Sequence, residues 1–562
     1  MLSNYFKIAW RNILRNKVSS FINISGLAIG ISCVILILLY VQDELQYDRF
    51  FHTADRICQV NISGNFGGEE FYVSNTPPTV GPALASEIPE IETYTRIYHP
   101  GDLVVRNEGS SQVENYFTEP GVLAVDSNFL QVFTFPMVEG DPASCLQHNN
   151  AVVITEKIAR KYFGNGDAMG KTLLIDNSRT PFTVSGILKD LPAQSSLQFD
   201  LLTPVSAFPV VKQFSWSWVW LQVSTYVKLR DHVSNDAKTL SRLEAKFPDV
   251  VKKHAASAFN RIGQPYDEFI KKGGRWDFHL QPFRDIHLYS AGIGVRWMAV
   301  SDIKYLYIFS IIALFIIILA CVNFMNLSTA QSAQRAKEVG IRKVMGSEKN
   351  QLIRQFLTEA LLYSFIATLI AILIVISVLH PFNQLAGKTL QFSSFFKNGI
   401  LLIVLSLSVI TGLVAGSYPA FYLTSFKPIA VLKGIKELKS GIGDRFIRSG
   451  LVVFQFTIST ILIIATIIVY QQMQYARNKD LGLNKDNLIV IENANRLDES
   501  KESFREEILK MPEVHAAYQE THARIRQAAL NFVHGVFENR RAARLKLRPA
   551  PSWVTPRFRP HP

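Results

Sequence analysis

The sequence is poor in cysteine, with four among 562 residues. So few cysteines in a chain of this length exclude a disulfide framework like those of small secreted domains. Cys33 and Cys321 lie inside long apolar runs, where we expect them only to pack. Cys58 and Cys145 fall in a polar segment between those runs. They could pair with each other, although so large a segment hardly needs a cross-link.

Recognisable catalytic motifs are also absent. The sequence has no nucleophile elbow, no H-E-x-x-H and no cluster with metal-ligand spacing, which argues against an enzyme. The nearest approach to a nucleotide site is Gly164–Thr172, but Asn165 stands where a P-loop requires glycine. We expect a turn there, leading into a strand at Thr172–Ile175. The chain is therefore expected to bind no cofactor and to hydrolyse no ATP by itself.

Charge is scarce and unevenly spread. Charged residues make up 19% of the chain and hydrophobic ones 48%. About 20 mostly apolar residues span a bilayer, and only a helix satisfies its own backbone there. Five runs reach this length, and they lie at 21–41, 304–326, 353–379, 398–423 and 450–470. The first is too long for a signal peptide and no cleavage site follows it, so we expect it to remain as an anchor.

Basic residues beside these runs predict their orientation, because positively charged flanks stay in the cytoplasm. Residues 1–20 contain four Lys or Arg and no acid. The segments 331–354 and 424–449 each carry six Lys or Arg against two acids, whereas 380–397 holds only two lysines. All five crossings agree with one orientation. We expect a multi-pass protein of the bacterial inner membrane with a cytoplasmic N-terminus.

The polar segment 42–303 then lies outside the membrane and has the texture of an α+β domain. Short β-like runs occur at Ala151–Thr155 and Phe182–Ile187, and a helical stretch occurs at Thr155–Tyr162. Three tryptophans at alternate positions, followed by a β-like run, predict one face of a strand; they are Trp216, Trp218 and Trp220. We interpret them as core packing in preference to a ligand platform. The predicted fold class is an α-helical transmembrane protein with a large α+β extracytoplasmic domain.

The net charge of +13 does not indicate nucleic-acid binding. Residues 521–562 carry nine Lys or Arg and one acid, and the remaining excess suits the cytoplasmic loops. From about Thr521 the sequence turns rich in arginine and proline and loses any hydrophobic period. Two interpretations stay open for this tail. It is either a native disordered basic segment or the product of a shifted reading frame.

Six segments together carry a recognisable pattern, and they are Ala9–Lys17, Phe21–Gly30, Tyr40–Phe50, Ala336–Gly346, Gln351–Leu362 and Ala415–Tyr422. The pattern closely resembles FtsX-like ABC transporter permeases with a MacB-like periplasmic core domain. It is most similar to the double-unit form common in Bacteroidetes, over roughly residues 1–515. The most specific part is Lys337–Gly346.

The resemblance implies that this part forms a coupling helix on a separate cytoplasmic ABC ATPase, which uses the ATP. The implied contact residues are Arg335, Lys337, Glu338, Arg342 and Lys343. On a helix, Glu338 and Arg342 form a favourable i,i+4 pair. A nearby apolar stripe consists of Ile341, Val344 and Met345. The same amphipathic helix could instead lie flat at the membrane interface.

Two G-x-x-x-G pairs occur in the apolar runs, Gly26 with Gly30 and Gly412 with Gly416. Such pairs let helix backbones approach closely, although small residues also occur by chance in apolar helices. We expect them to pack membrane helices together. The resemblance further implies a dimer or pseudo-dimer of permease units in the lipid bilayer.

We divide the chain into five parts on this basis. Residues 1–42 form the N-terminal segment and first span, 43–303 the MacB-like core, and 304–435 the FtsX-like permease domain. Residues 436–520 repeat the order of basic entry, span and outer segment, and so predict the start of a second permease unit. Residues 521–562 are the basic tail. The expected chain is one full unit plus a truncated second one.

The favoured function is the permease subunit of an ABC transporter, coupling ATP hydrolysis by its partner to export of a periplasmic substrate or to extrusion of a lipoprotein or peptide. The alternative is a membrane scaffold or regulator of FtsX type that controls cell-envelope enzymes. An extracytoplasmic enzyme on a membrane anchor is the least favoured.

Overall fold

The computed structural model describes residues 2–66, 68–107, 116–175, 180–294, 298, 300–330, 339–392, 399–425, 442–479, 489, 491, 497, 500–514 and 517. They fall into two compact units, 1–456 and 457–562. The first unit contains a bundle of long apolar helices and an α+β domain. The described part of the second unit contains the remainder of a long helix and one short helix.

The α+β domain is built on one sheet whose thirteen strands all lie within the described residues. The strands are β1 Ile57–Phe66, β2 Glu69–Val73, β3 Ile91–Tyr98, β4 Leu103–Asn107, β5 Tyr116–Glu119, β6 Val122–Val125, β7 Met137–Glu139, β8 Ala151–Thr155, β9 Thr172–Ile175, β10 Thr180–Leu188, β11 Leu201–Pro204, β12 Val223–Leu229 and β13 Arg275–Pro282. Their order is β13-β1-β12-β3-β6-β11-β8-β10-β9-β4-β5, with β2 beside β1 and β7 beside β10. Most pairs are antiparallel, but β8–β10 and β6–β11 are parallel.

The described residues before 303 form nine α-helices in addition to the first membrane helix, and they are α1 Leu2–Arg15, α3 Val80–Glu87, α4 Phe129–Val132, α5 Glu156–Phe163, α6 Pro209–Gln213, α7 Ala237–Glu244, α8 Phe247–Arg261, α9 Tyr266–Lys271 and α10 Ile286–Tyr289. Helices α3, α7, α8 and α9 cover one face of β1, β12 and β13. Buried side chains such as Val227, Phe259 and Phe278 fill the layer between them. The domain is thus α+β, as its sequence texture predicts.

The local predictions in this domain are confirmed in several places. The strands at Ala151–Thr155 and Thr172–Ile175 are present, and Phe182–Ile187 lies inside β10. Helix α5 begins one residue after Thr155, whose hydroxyl caps it by accepting from the Ile158 backbone N–H. It ends at Gly164, which takes a left-handed φ of 63°. The segment that resembles a P-loop is therefore a turn between α5 and β9.

The predicted strand through the tryptophans is wrong. Residues 214–222 form turns and irregular chain after α6, and β12 begins only at Val223. The alternation has a different cause: each ring finds a separate partner. Trp218 is buried in the core, Trp216 lies under the Arg261 guanidinium at 4.0 Å, and Trp220 stacks on Phe214 at 4.9 Å. The rings pack, as interpreted, but they do so from a loop.

In the part of the chain that the structure describes, five helices are long and apolar enough to cross a membrane, and they coincide with the five predicted runs. They are α2 Lys17–Leu45, α11 Ile303–Ala330, α12 Lys349–Ala386, α13 Ile400–Thr424 and α14 Ile442–Asn478. A short helix, α15, follows at Lys501–Leu509. We call the end of the bundle that meets the α+β domain the outer end and the opposite end the inner end. The chain leaves α2 at the outer end, and α12 returns to it at Ala386.

The four cysteines are free. Cys58 and Cys145 therefore do not form the pair that the sequence left open. Both are buried, and burial raises the thiol pKa values to about 12 for Cys58 and about 11 for Cys145. They act as small core residues.

Candidate functional site: a buried joint between the bundle and the domain

Two carboxylates stand at the point where the chain leaves the bundle. Asp43 and Glu44 occupy the last turn of α2, directly after its apolar stretch, and their side chains are 8% and 3% exposed. A buried charge is costly unless it is paired and hydrogen-bonded. The surrounding elements supply those partners. We call the resulting cluster the outer joint: Asp43, Glu44, Tyr47, Asp48, Gln194, Ser196, His287 and Lys388.

Lys388 supplies the positive charge from the loop between α12 and α13. Helix α12 ends at Gly387, whose left-handed φ of 62° turns the chain back so that Lys388 N–H donates to the Asn383 carbonyl. The ammonium lies 2.5 Å from Glu44 Oε1 and 3.0 Å from Asp43 Oδ2. Burial lowers the Lys388 pKa, but the hydrogen bonds and charges of Glu44 and Asp43 outweigh it and hold the pKa above its ordinary value.

The α+β domain reaches the same carboxylates from its own side. His287 of α10 donates through Nε2 to Glu44 Oε2 at 2.9 Å, and its ring stacks on Tyr47 with centroids 3.4 Å apart. Gln194, between β10 and β11, donates through Nε2 to Asp43 Oδ1 at 2.6 Å. Glu44 thus accepts from the loop between α12 and α13 and from the α+β domain at once. One carboxylate joins three parts of the chain.

Asp48 continues the joint into the domain and is fully buried. It has a left-handed φ of 59°, which is uncommon for residues other than glycine, although aspartate and asparagine adopt it more readily than most. Its N–H donates to the Gln194 carbonyl at 2.9 Å, and its Oδ1 accepts from the Ser196 N–H at 2.8 Å. Burial raises the Asp48 pKa to about 6, against the lowering effect of the Ser196 hydrogen bonds and of His287. This carboxyl therefore changes charge near neutral pH.

An aromatic cluster fixes the next residues of the chain. Phe51 is fully buried, and its ring lies 4.9 Å from that of Phe135 and 5.5 Å from that of Phe283. Phe283 leads into α10, which carries His287, and the His287 carbonyl accepts from Ser301 N–H just before α11. The entry to and the exit from the domain are therefore tied to one core. If α2 moves, this part of the domain must move with it, because otherwise buried contacts would break.

The family pattern in the sequence includes Tyr40–Phe50 but indicates no role for it, and Lys388 stands out only as a charge in a short loop. One local feature of the sequence does point to the outer joint, namely the two acids that follow the first apolar run. Two acids directly after an apolar run are expensive to bury and so require partners. The sequence could not identify His287 and Gln194 as the partners of these acids, because nothing in it indicates that such distant positions meet the end of α2.

The predicted coupling segment lies at the inner end. Arg335, Lys337 and Glu338 fall outside the described residues, whereas residues 339–344 are helical. Arg342 donates through Nη1 to Gln355 Oε1 of α12 at 2.9 Å, and Lys343 Nζ donates to the Thr424 carbonyl at the end of α13 at 2.6 Å. These two charges anchor the segment to two membrane helices.

The apolar side chains of the same segment divide between core and surface. Val339 is buried in a small cluster with Leu352, Phe356, Ala420 and Leu423. Ile341, Val344 and Met345 are 48%, 62% and 82% exposed. We call these three the inner stripe. An exposed apolar patch on an anchored helix is suited to bind another surface.

The predicted glycine pairs each lie against a neighbouring helix. A β-carbon on Gly30 would stand 2.8 Å from Ala320 Cβ of α11, and one on Gly416 would stand 2.5 Å from Ala360 Cβ of α12. Gly26 faces Asn323 of α11, and Gly412 faces Leu361 of α12. At Gly30 and Gly416 a larger residue would require the helices to separate, whereas at Gly26 a small shift of the Asn323 side chain would suffice. Across the described parts of the chain, no three His, Cys, Asp or Glu side chains are grouped to hold a metal ion.

Comparison with known proteins places this architecture in a family. Residues 20–239 match the MacB-like periplasmic core domain, and residues 310–428 match the FtsX-like permease C-terminal domain. Together with five apolar helices, these domains define a membrane permease. The chain belongs to the FtsX-like ABC transporter permeases that carry a MacB-like periplasmic core domain. It contains the permease domains, and this family is not a class of enzymes.

Two relatives and one solved structure illustrate the similarity. The ABC transporter permease YvrN of Bacillus subtilis is 21% identical over 76% of this chain and 99% of that protein. The pyoverdine export ATP-binding/permease protein PvdT of Pseudomonas aeruginosa is 22% identical over 76% of this chain, which spans only 58% of PvdT. The crystal structure of a permease domain from Porphyromonas gingivalis is 26% identical, with a TM-score of 0.36, over 46% of this chain and all of that domain.

Proposed function

We propose that this chain is the transmembrane subunit of an ABC exporter and that a separate cytoplasmic ATPase drives it. The N-terminus and the inner end lie in the cytoplasm, and the α+β domain lies in the periplasm. ATP binding and hydrolysis move the inner ends of α12 and α13. The outer joint passes that movement to the periplasmic domain, which expels a periplasmic substrate or extrudes a lipoprotein or peptide.

The observation that carries this proposal is the buried joint itself. Glu44 binds Lys388 of the permease domain and His287 of the MacB-like domain through its two oxygens. A mechanical connection needs contacts that survive displacement, and buried charge pairs are costly to separate. A loose tether between two independent domains would need no such pairing. The joint therefore supports transmission of movement in preference to simple anchoring.

The inner stripe is the surface that would receive the ATPase. In the described part of the segment, Arg342 and Lys343 contact α12 and α13, and the exposed apolar side chains are Ile341, Val344 and Met345. This changes the emphasis of the sequence prediction, in which the charged residues make the contact. In the proposed arrangement Arg342 and Lys343 hold the segment in place, and the apolar residues of the inner stripe dock on the ATPase.

The docking is tested with the full chain and the ABC ATPase that co-purifies with it. The double variant Val344→Asp, Met345→Asp should weaken ATPase binding at least about tenfold, as expected when charge enters an apolar interface. Val138→Asp, which charges an exposed valine of the α+β domain, is the control and should bind normally. Normal binding by the double variant would reject the stripe as the docking surface. Co-purification of a cell-wall hydrolase in place of an ATPase would favour the alternative function, a membrane scaffold or regulator of FtsX type that controls cell-envelope enzymes.

The proposed orientation is tested by thiol labelling in cells. Lys349→Cys at the start of α12 should react with a membrane-impermeant maleimide only after the inner membrane is opened. Lys271→Cys in the α+β domain should react once the outer membrane alone is permeable. The native Cys58 and Cys145 are buried and give little background. Labelling of Lys349→Cys in cells with an intact inner membrane would overturn the orientation.

A further inference from the structure

Helix α1 leaves two of its stripes uncovered. Ala9 and Ile13 are buried against the bundle, and Asn12 donates through Nδ2 to Glu359 Oε2 of α12 at 3.4 Å. The uncovered apolar stripe consists of Phe6, Trp10 and Leu14, which are 52%, 46% and 54% exposed. These residues recur every fourth position and so form one continuous ridge along the helix. Exposed aromatic and leucine side chains in such a row require a partner or a membrane.

A basic stripe runs directly beside the ridge. Lys7, Arg11 and Arg15 are all exposed and follow Phe6, Trp10 and Leu14 by one position each. One position on a helix is a rotation of about 100°, so the cations flank the apolar ridge along its whole length. No Asp or Glu occurs among residues 1–42. The positive charge of this stripe therefore has no counter-charge in its own part of the sequence.

The position of α1 favours a membrane as the partner. Its contact with Glu359 lies in the first third of α12, and α1 is separated from α2 only by Asn16. The apolar ridge continues onto the exposed Val18 and Phe21 in the first turns of α2. Because α2 enters the bilayer, the ridge is continuous with a lipid-facing surface. A cytoplasmic protein would have to cover both at once.

We infer that α1 lies in the inner interface of the membrane and binds anionic phospholipids. Phe6, Trp10 and Leu14 reach the acyl chains, while Lys7, Arg11 and Arg15 contact the phosphate groups beside them. Helices with an aromatic apolar face and a Lys/Arg-rich polar face bind at this depth, and anionic headgroups strengthen the binding. This inference concerns the lipid around the helix and stands independently of the proposed export function.

The test uses the full chain in nanodiscs of mixed phosphatidylcholine and phosphatidylglycerol, with bromine on the acyl chains of one lipid at a time. Trp10 emission is obtained by subtracting the spectrum of Trp10→Phe. Brominated phosphatidylglycerol should quench Trp10 several-fold more than brominated phosphatidylcholine at equal mole fraction. The triple variant Lys7→Gln, Arg11→Gln, Arg15→Gln should remove that difference but keep the quenching itself.

A matched control changes three exposed lysines of the α+β domain, Lys212→Gln, Lys238→Gln and Lys252→Gln, and should keep the wild-type difference. Equal quenching by both lipids in the wild-type protein would overturn the anionic preference. No quenching by either lipid would overturn the interfacial placement and assign the ridge to a protein partner. If the triple variant does not fold, a salt series on the wild-type protein decides, since screening should abolish the difference between the lipids.

Discussion

The Lys388 ammonium and the Glu44 carboxylate lie 2.5 Å apart with almost no contact with solvent. One belongs to the loop after α12 and the other to the last turn of α2, so this pair joins two membrane helices at the outer end. A surface pair of the same geometry would contribute little, because water screens it and both side chains lose entropy. A buried pair differs, since the loss of one partner strands the other charge.

Replacing Lys388 with methionine should therefore destabilise the protein strongly. Methionine keeps the length and apolar stem of lysine but leaves Glu44 and Asp43 buried with the Lys388 charge removed. The expected cost is about 3–5 kcal/mol, seen as a lower midpoint of unfolding for the full chain in detergent. Adding Glu44→Gln to Lys388→Met should restore part of the loss, because fewer stranded charges remain.

The control is Lys246→Met. Lys246 lies at the same 2.5 Å from Glu90, but both side chains are partly exposed, at 43% and 31%. Its loss should cost about 1 kcal/mol or less. Equal effects of the two substitutions would contradict the claim that burial gives the Lys388 pair its importance.

A second prediction concerns pH. Because burial raises the Asp48 pKa to about 6 from an ordinary value of 3.8, the folded state binds this proton more tightly than the unfolded state. The charged form therefore penalises folding above pH 6, and the penalty disappears as pH falls through 6 towards 4. Asp48→Asn removes the titration, and asparagine tolerates the left-handed φ. The variant should be more stable than the wild type at pH 8, by up to about 3 kcal/mol.

The measurement is the difference in unfolding midpoint between Asp48→Asn and the wild type across pH 4.5 to 8. The difference should grow with pH and level off above about pH 7. Asp249→Asn, at an exposed position in the first turn of α8, should show no such trend. A difference that stays constant with pH would show that Asp48 does not titrate in this range.

The sequence predicted the parts of the structure that are set by local patterns. Hydropathy located the five described helices that are long and apolar enough to cross a membrane, since length and composition alone decide whether a segment suits the bilayer. The tryptophan strand failed because alternation also fits a loop whose rings pack separately, on Arg261, Phe214 and the core. The outer joint could not be predicted, because His287 and Lys388 meet Glu44 only through tertiary packing.

The predicted coupling segment also shows what a sequence pattern cannot predict. A helical pattern with Arg342 and Lys343 predicts charged contacts but not their direction. In the structure, both side chains point back to α12 and α13, because the Gln355 amide and the terminal carbonyl of Thr424 lie within reach. A sequence pattern can identify the segment, whereas only the packing separates its anchoring residues from its exposed ones.

A third prediction tests the helix packing. Gly416→Ala places a β-carbon 2.5 Å from Ala360 Cβ, too close for two carbons, so α12 and α13 must separate. Overpacking of this kind typically costs about 1–3 kcal/mol. Gly450→Ala is the control, since a β-carbon there meets nothing within 4 Å. We expect a lower unfolding midpoint for Gly416→Ala and an unchanged one for Gly450→Ala. A Gly416→Ala protein as stable as the wild type would argue against tight packing at this crossing.

The final prediction separates transmission from stability. His287→Phe keeps an aromatic ring to stack on Tyr47 but loses the hydrogen bond to Glu44. The variant should fold and bind the ATPase, and the complex should hydrolyse ATP at the wild-type rate yet export substrate at least about tenfold more slowly. The expected deficit follows because Glu44 loses its direct contact with the α+β domain while it keeps Lys388, which leaves the domain to act on α2 through other links such as the Gln194–Asp43 hydrogen bond.

A second histidine offers a matched control for this variant. His254 also accompanies an aromatic ring, Trp218, and lies 2.9 Å from the Glu87 carboxylate, but it belongs to α8 and not to the outer joint. His254→Phe should leave both hydrolysis and export near wild type. Parallel loss of hydrolysis and export in His287→Phe would assign His287 to assembly of the complex. Normal export by His287→Phe would remove the Glu44–His287 contact from the transmission route, because a connection that can be deleted without effect carries no movement.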